Sequence, residues 1–200
     1  MTGKTHMLIG TCTGIITALT IGTDNAAIFC GTIASTVIGS LIPDIDNPKS
    51  TFGSKTFFTS NIINKMFGHR GITHAPIILL IFSVGLLFVL NSFHMESYIP
   101  ILYGYTIGYI SHLLLDALTK AGIPLFYPIS KKRFHLLNIK SGGIAERLIV
   151  VGIILLLITV IFFAILHFGN TTAHFIKSGL FLFWYKKERK NYRFYGRFFG

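Results

Sequence analysis

Six apolar stretches, at about 7–22, 26–43, 75–93, 99–117, 148–168 and 172–185, limit what this chain can fold into more than any other feature. A helix needs about 20 mainly apolar residues to cross the hydrocarbon core of a bilayer, with a working range of roughly 17–25. The third, fourth and fifth runs meet that requirement. The first two are shorter, rich in Thr and Gly and free of charge, and fit a tight helical hairpin turned at Gly22-Thr23-Asp24-Asn25. The sixth is short and carries Lys177, so it either spans or lies flat in the interface. Only 12% of the residues are charged, about half the share of a soluble domain. The expected fold is an all-α, polytopic transmembrane bundle of about five to six membrane helices.

The basic residues set an orientation. With the N-terminus inside, the inner segments 1–6, 44–74, 118–147 and 186–200 hold seventeen of the eighteen Lys and Arg, and the outer loops hold none. The positive-inside rule then places these segments, and the N-terminus, in the cytoplasm of a cell with an inner membrane. The net charge of +11 flanks apolar runs, so anionic lipid headgroups are the expected partner rather than nucleic acid. Residues 1–168 read as one membrane-embedded domain. Residues 169–200 read as a last short apolar helix and a basic aromatic tail, with Trp184, Tyr185, Tyr192 and Phe194 at headgroup level. Lys4 and the first apolar run could mimic a secretory signal, but no Ala-x-Ala site follows, so the run is read as the first membrane helix. Cys12 and Cys30 lie in separate apolar runs at different depths and are read as buried small residues.

Chemistry-bearing residues gather at the inner ends of the helices. His6 precedes the first run, Pro43-Asp44-Ile45-Asp46 closes the second, His69-Arg70-Gly71-Ile72-Thr73-His74 opens the third, and Ser111-His112-Leu113-Leu114-Leu115-Asp116 closes the fourth. His112 and Asp116 are four apart and share one helix face. In lipid both are costly unless paired, ligated or wet, and imidazole with carboxylate suits zinc or another first-row metal. Asp44 and Asp46 repel each other unless a cation joins them. Arg70 offers a fork that fits a phosphate, and the helix start behind it adds partial positive charge. Each piece has a plain alternative: a buried His–Asp hydrogen bond, a solvated turn, a basic juxtamembrane loop. Together they place four of eight histidines and three of four aspartates at one membrane depth. That is more ligands than one tetrahedral ion uses, which points to two ions. Two metals a few ångströms apart can activate water and clamp a phosphate.

His94, His167 and His174 fall near the outer side and read as interface residues. His135 sits in a basic inner loop. Glu146, the lone acid of 118–147, is a candidate ligand or base. Ser111 and His112 are neighbours on a helix and point apart, so no Ser–His–acid triad is expected.

The pieces Thr5-His6, Gly39 to Asp46, His69 to His74, Gly108 to Thr119 and Gly122 to Pro128 resemble the membrane-bound, metal-dependent hydrolase family also called LexA-regulated or YdjM-like. The likeness covers about residues 1–168 and implies a membrane hydrolase. More distantly, the order His, Asp, His, then His-x3-Asp is similar to zinc-dependent phospholipase C and the S1/P1 nucleases. That likeness implies Asp44, His69, His112 and Asp116 around one metal, and His6 on a second with Asp116 bridging. A second His…His-x3-Asp set is not found downstream, so a three-zinc cluster is not expected.

The resulting expectation is an inner-membrane, metal-dependent hydrolase of phosphate esters, working at the cytoplasmic surface on a substrate that is lipid-linked or soluble. Its cofactor is a divalent metal, zinc first, with two ions in view. The metal ligands are His6, Asp44, His69, His112 and Asp116. Asp46 or His74 would serve as general base, and Arg70 would hold the phosphate. The rival expectations are an ion or solute transporter with a His/Asp path, and a non-catalytic adaptor stapled by metal.

Overall fold

A computed structural model describes residues 1–48, 50, 52–67, 71–159 and 162–163 of the chain. The elements below belong to the compact unit Met1–Ile153; a second unit comprises Ile154–Gly200. Among the described residues the chain is helical, with no strand beyond two isolated bridges.

Helix α1 runs Gly3–Ile21. The Thr2 hydroxyl caps it by accepting from the Thr5 amide, and Gly22 ends it in the left-handed region at φ 65°, where a side chain would be strained. Asn25 then caps α2, Ala26–Leu41, accepting from the amides of Ala27 and Ile28. The hairpin expected at Gly22–Asn25 is therefore present. Pro43 cannot continue the α-helical ladder, and the chain tightens into a 3-10 turn, Ile42–Asp46, that carries both aspartates. Helix α3, Phe57–Phe67, lies within what reads from sequence as an inner loop. A second 3-10 turn, Ile72–His74, leads into α4, Pro76–Ser92, with the proline in the first turn where its missing N–H costs nothing. After a short turn at Glu96–Tyr98, α5 runs Ile99–Ala117. The last helix of this unit, α6, begins at 144 and reaches the unit's end at Ile153.

Helix α2 packs along both α1 and α5, and α4 lies against α5. The α2–α5 contact is backbone-close. A Cβ on Gly108 would come within 2.0 Å of the Thr36 carbonyl oxygen, and one on Gly39 within 2.2 Å of the Tyr105 carbonyl oxygen. Small residues permit such approach where helices must associate without a hydrophobic drive. This approach brings the inner end of α5 beside the turn after α2.

The distribution of polarity is inverted relative to a soluble domain. The fully buried side chains include His6, Thr32, Thr36, Ser40, Asp46, His74, His112 and Asp116. The exposed ones include Leu80, Ile81 and Phe88 on α4, Ile107 and Leu114 on α5, and Leu148 and Val151 on α6. Contiguous apolar exterior on this scale marks a surface made for lipid. Each buried threonine of α2 returns its hydroxyl to its own helix, Thr32 to the Ile28 carbonyl at 2.8 Å and Thr36 to the Thr32 carbonyl at 2.7 Å.

The expectation of five to six crossings meets a narrower finding. Among the described residues, only Ala26–Asp46 is both long and apolar enough to cross a membrane on its own composition, and Pro76–Ser92 is apolar but shorter. Helix α5 has 19 residues, but His112 and Asp116, with its glycines and tyrosines, dilute its apolar content. The sixth apolar run and the basic tail lie outside the described residues.

Candidate metal centre

Five side chains from four segments converge at the inner end of α5. His112 and Asp116 come from one face of that helix, Asp44 from the turn after α2, His74 from the turn before α4, and His6 from the first turns of α1. His6, His74, His112 and Asp116 are 0% exposed, while Asp44 retains 8%, so the cluster opens to its surroundings on the Asp44 side.

The ring nitrogens are sorted by their partners. His112 Nδ1 lies 2.7 Å from the Ser40 carbonyl oxygen. A carbonyl only accepts, so Nδ1 carries the proton. His74 Nδ1 lies 3.2 Å from Asp46 Oδ2, and the same reasoning puts its proton there. In the neutral rings both Nε2 atoms then present lone pairs, and those two atoms are 3.3 Å apart. Carboxylate oxygens surround them. Asp116 Oδ2 is 3.6 Å from each Nε2, and Asp44 Oδ1 is 3.8 Å from His74 Nε2 and 4.0 Å from His112 Nε2. Lone pairs facing one another among carboxylates, away from water, repel strongly at low dielectric. A proton or a metal cation between them removes the repulsion. His74, His112 and Asp116 bring their donor atoms within 4.8 Å of one another, a set that suits zinc or a related first-row ion.

His6 supplies a second grouping. Its ring stacks on His112 with centroids 3.7 Å apart and planes 17° from parallel, and its Nε2 is 3.3 Å from Asp116 Oδ1. Among the described residues no hydrogen-bond partner reaches its buried Nδ1. An orphaned imidazole nitrogen in a dry site is expensive, and a cation satisfies it. Both His6–Asp44–His112 and His74–His112–Asp116 bring their donor atoms within 4.8 Å of one another, so each trio could hold an ion. Asp116 faces both groups, one oxygen toward each.

A layer of partners fixes these side chains. Asp46 Oδ2 accepts from the Thr73 hydroxyl as well as from His74, and the Tyr109 hydroxyl donates to the Thr73 carbonyl. Asn64 on α3 donates to the Asp46 carbonyl at 2.6 Å. Carboxylate or carbonyl partners behind a histidine orient it toward a metal and raise its basicity. The α-amine of Met1 donates to Asp116 Oδ1. Glu146 anchors the start of α1: its Oε1 accepts from the Thr2 amide at 2.9 Å, the Thr2 hydroxyl at 2.8 Å and the Thr5 hydroxyl, and its Oε2 accepts from the Gly142 amide at 2.7 Å. Burial by itself raises the Glu146 carboxyl's pKa, but these donors, Thr5 foremost, outweigh it and hold it down at about 2.

Of the residues singled out from sequence, His6, Asp44, Asp46, His74, His112 and Asp116 come together. His69 and Arg70 lie outside the described residues. Of the two candidate bases, His74 aims Nε2 into the donor cluster and Asp46 stands behind it. His135 and His94 are exposed and belong to neither trio. Glu146, the candidate ligand or base of the inner loop, belongs to neither trio, and its oxygens are engaged by α1 and by Gly142. Ser40, Thr73, Tyr109 and the Met1 amine were not legible. A main-chain carbonyl acceptor leaves no residue-type signal, whereas Thr73 beside His74 could have been flagged as a hydroxyl next to a candidate ligand.

The YdjM inner membrane protein family matches residues 1–188. The chain is 37% identical to YvsG of Bacillus subtilis, described as uncharacterized, over 78% of this chain and 91% of that protein. It is also 37% identical to the inner membrane protein YdjM of Escherichia coli and that of Shigella flexneri, over 58% of this chain and 60% of each relative. No solved structure matches significantly. The more distant similarity to zinc phospholipase C is not reflected in these matches. The inverted polarity, the motif set and the match along most of its length agree: this chain belongs to the YdjM inner membrane protein family.

Proposed function

We propose that the protein is a metal-dependent hydrolase of phosphate esters, embedded in the inner membrane with its catalytic cluster at the cytoplasmic rim. The observation that supports this most is the pair of Nε2 atoms, of His74 and His112, set 3.3 Å apart among the carboxylates of Asp44 and Asp116. His74, His112, Asp116 and Asp44 would hold one cation; a second would rest on His6 and Asp116 Oδ1, since His112 has a single lone-pair nitrogen to give. A divalent cation bound there supplies Lewis acidity for attack by water and neutralises charge on a phosphoryl group.

The chain's own residues do the rest. Ser40 and Asp46 lock the two imidazole tautomers, so the donors need no reorganisation when a ligand arrives. The apolar clusters on either side, Leu79 with Tyr109 and Leu113, and Met1 with Ile9 and Leu115, exclude bulk water. Asp44, the cluster's partly exposed member, marks the side from which substrate enters. Arg70, two residues before the turn that bears His74 in the sequence, would hold the phosphate through its guanidinium fork. In this reading Asp46 is a positioning residue and His74 a ligand.

The membrane arrangement belongs to the same proposal. Five to six crossings with the N-terminus inside put His6, Asp44, His74, His112 and Asp116 at one depth beneath the headgroups. The charge asymmetry of the loops supports this orientation. A lipid-linked phosphate fits that depth best. The test is hydrolysis of phosphodiester and lipid-linked phosphate substrates by purified protein in vesicles, wild type beside Asp116→Ala. Activity that needs added zinc and vanishes in the variant supports the reading. Activity indifferent to Asp116 and to chelation overturns it, and ion flux dependent on the same residue would favour a transporter.

A further inference from the structure

Helix α3 turns its apolar side away from the protein. Ser60 is fully buried and Asn64 reaches the Asp46 carbonyl, so their side of the helix faces inward. On the opposite side Phe58 is 79% exposed, Ile62 44% and Met66 69%, a row at i, i+4 and i+8. Phe57, in the first turn, is 62% exposed. At 11 residues the helix is too short to span a bilayer. Lys55 and Lys65 flank the apolar row and are both exposed. Residues 47–67 contain no Asp or Glu.

We propose that α3 is an in-plane membrane helix whose Phe58–Ile62–Met66 face docks into the headgroup region of an anionic bilayer, with Lys55 and Lys65 on its phosphates. An amphipathic helix of this length, apolar outward and edged with lysine, binds a membrane surface by burying its apolar row while its cations meet anionic lipid. The charge pattern selects anionic phospholipid as occupant over a second protein copy, because an isologous contact would set equal lysines against each other. The docked helix is tied to the metal centre through Asn64 and the Asp46 main chain, so it fixes the depth of the Asp44 opening at the lipid surface. The inference needs the membrane location of the family but not the hydrolytic reading.

The test uses full-length protein with Cys12 and Cys30 replaced by Ala, reconstituted in nanodiscs of symmetrical phosphatidylglycerol content. An environment-sensitive fluorophore is placed by Ile62→Cys, Met66→Cys or, as an aqueous control, Ser54→Cys. The expected result is blue-shifted emission at 62 and 66, quenched about twofold more by a headgroup-proximal spin-labelled lipid than by one labelled deep in the chain. Lys55→Gln and Lys65→Gln should each shift the docked population by about fivefold toward water. Aqueous quencher reaching 62 and 66 as readily as 54 overturns the proposal. So does protection from both lipid and aqueous quenchers with cross-linking between copies, which would assign the face to a dimer. So does stronger quenching by the deep label, which would make α3 a re-entrant segment. None of these readouts depends on catalysis, so their failure leaves the hydrolytic reading to its own assay.

Discussion

Gly108→Ala tests whether helix packing builds the metal centre. A Cβ at this position meets the Thr36 carbonyl oxygen at 2.0 Å and the Ser40 amide nitrogen at 3.0 Å. The first distance is about 1.4 Å short of the 3.4 Å at which ordinary contact begins. Both atoms are backbone, so rotamer changes cannot relieve the clash, and α5 must withdraw from α2 by roughly 1 Å. His112 lies one turn further along α5 and bonds the carbonyl of Ser40 at 2.7 Å. The same withdrawal stretches that bond to about 3.7 Å, beyond useful geometry. The imidazole loses its orienting partner, which costs about 10–100-fold in metal affinity, and overpacking costs about 1–3 kcal/mol of stability. Competition with a zinc-binding dye reads the first effect and thermal unfolding in detergent the second. Gly85→Ala on α4 is the control, because nothing lies within 4 Å of its added Cβ. Gly108→Ala protein with wild-type metal affinity would refute the claim that the glycine contact sets the site.

Other consequences are accessible to the same preparations. Asp46→Asn should weaken metal binding by about 10–100-fold while leaving the five donor side chains in place. His6→Ala should lower stoichiometry without abolishing binding, by emptying the second grouping, as elemental analysis would show. Glu146 predicts a pH effect. Its carboxyl is held at about 2 when folded against an ordinary 4.5, so the unfolded chain takes the proton first as pH falls. The stability it contributes, up to about 3 kcal/mol, is complete above about pH 5 and drains away toward pH 2. Unfolding of Glu146→Gln should show a flatter profile across that window. Chelation should lower the melting temperature of wild type by an amount equivalent to about 4 kcal/mol if metal is present at a thousand times its Kd, and should leave Asp116→Ala unmoved.

Much of the fold could be read from residues whose local physics is strong. Gly22 and Asn25 mark the α1–α2 turn, Pro43 ends α2, and Pro76 opens α4, because proline and positive-φ glycine have few alternatives. The site was legible for a different reason: imidazoles and carboxylates inside apolar sequence need partners, and those partners can only be one another. Helix α3 escaped because its apolar residues point outward and its short amphipathic pattern sits in a charged loop, where hydropathy averages hide it. The placement of Asp46 behind His74 was not legible in the sequence, since it depends on how two separate turns meet. The same polarity that made α5 recognisable as a site helix also kept it from reading as a span on composition alone.

Elemental analysis of purified full-length protein, beside His112→Ala and Asp116→Ala, bears most directly on the central claim. Wild type should retain about one to two equivalents of a first-row divalent metal through exhaustive dialysis, and both variants should lose most of it while remaining folded. Metal-free wild type that binds none on addition of zinc, or variants that bind as wild type does, would contradict the account.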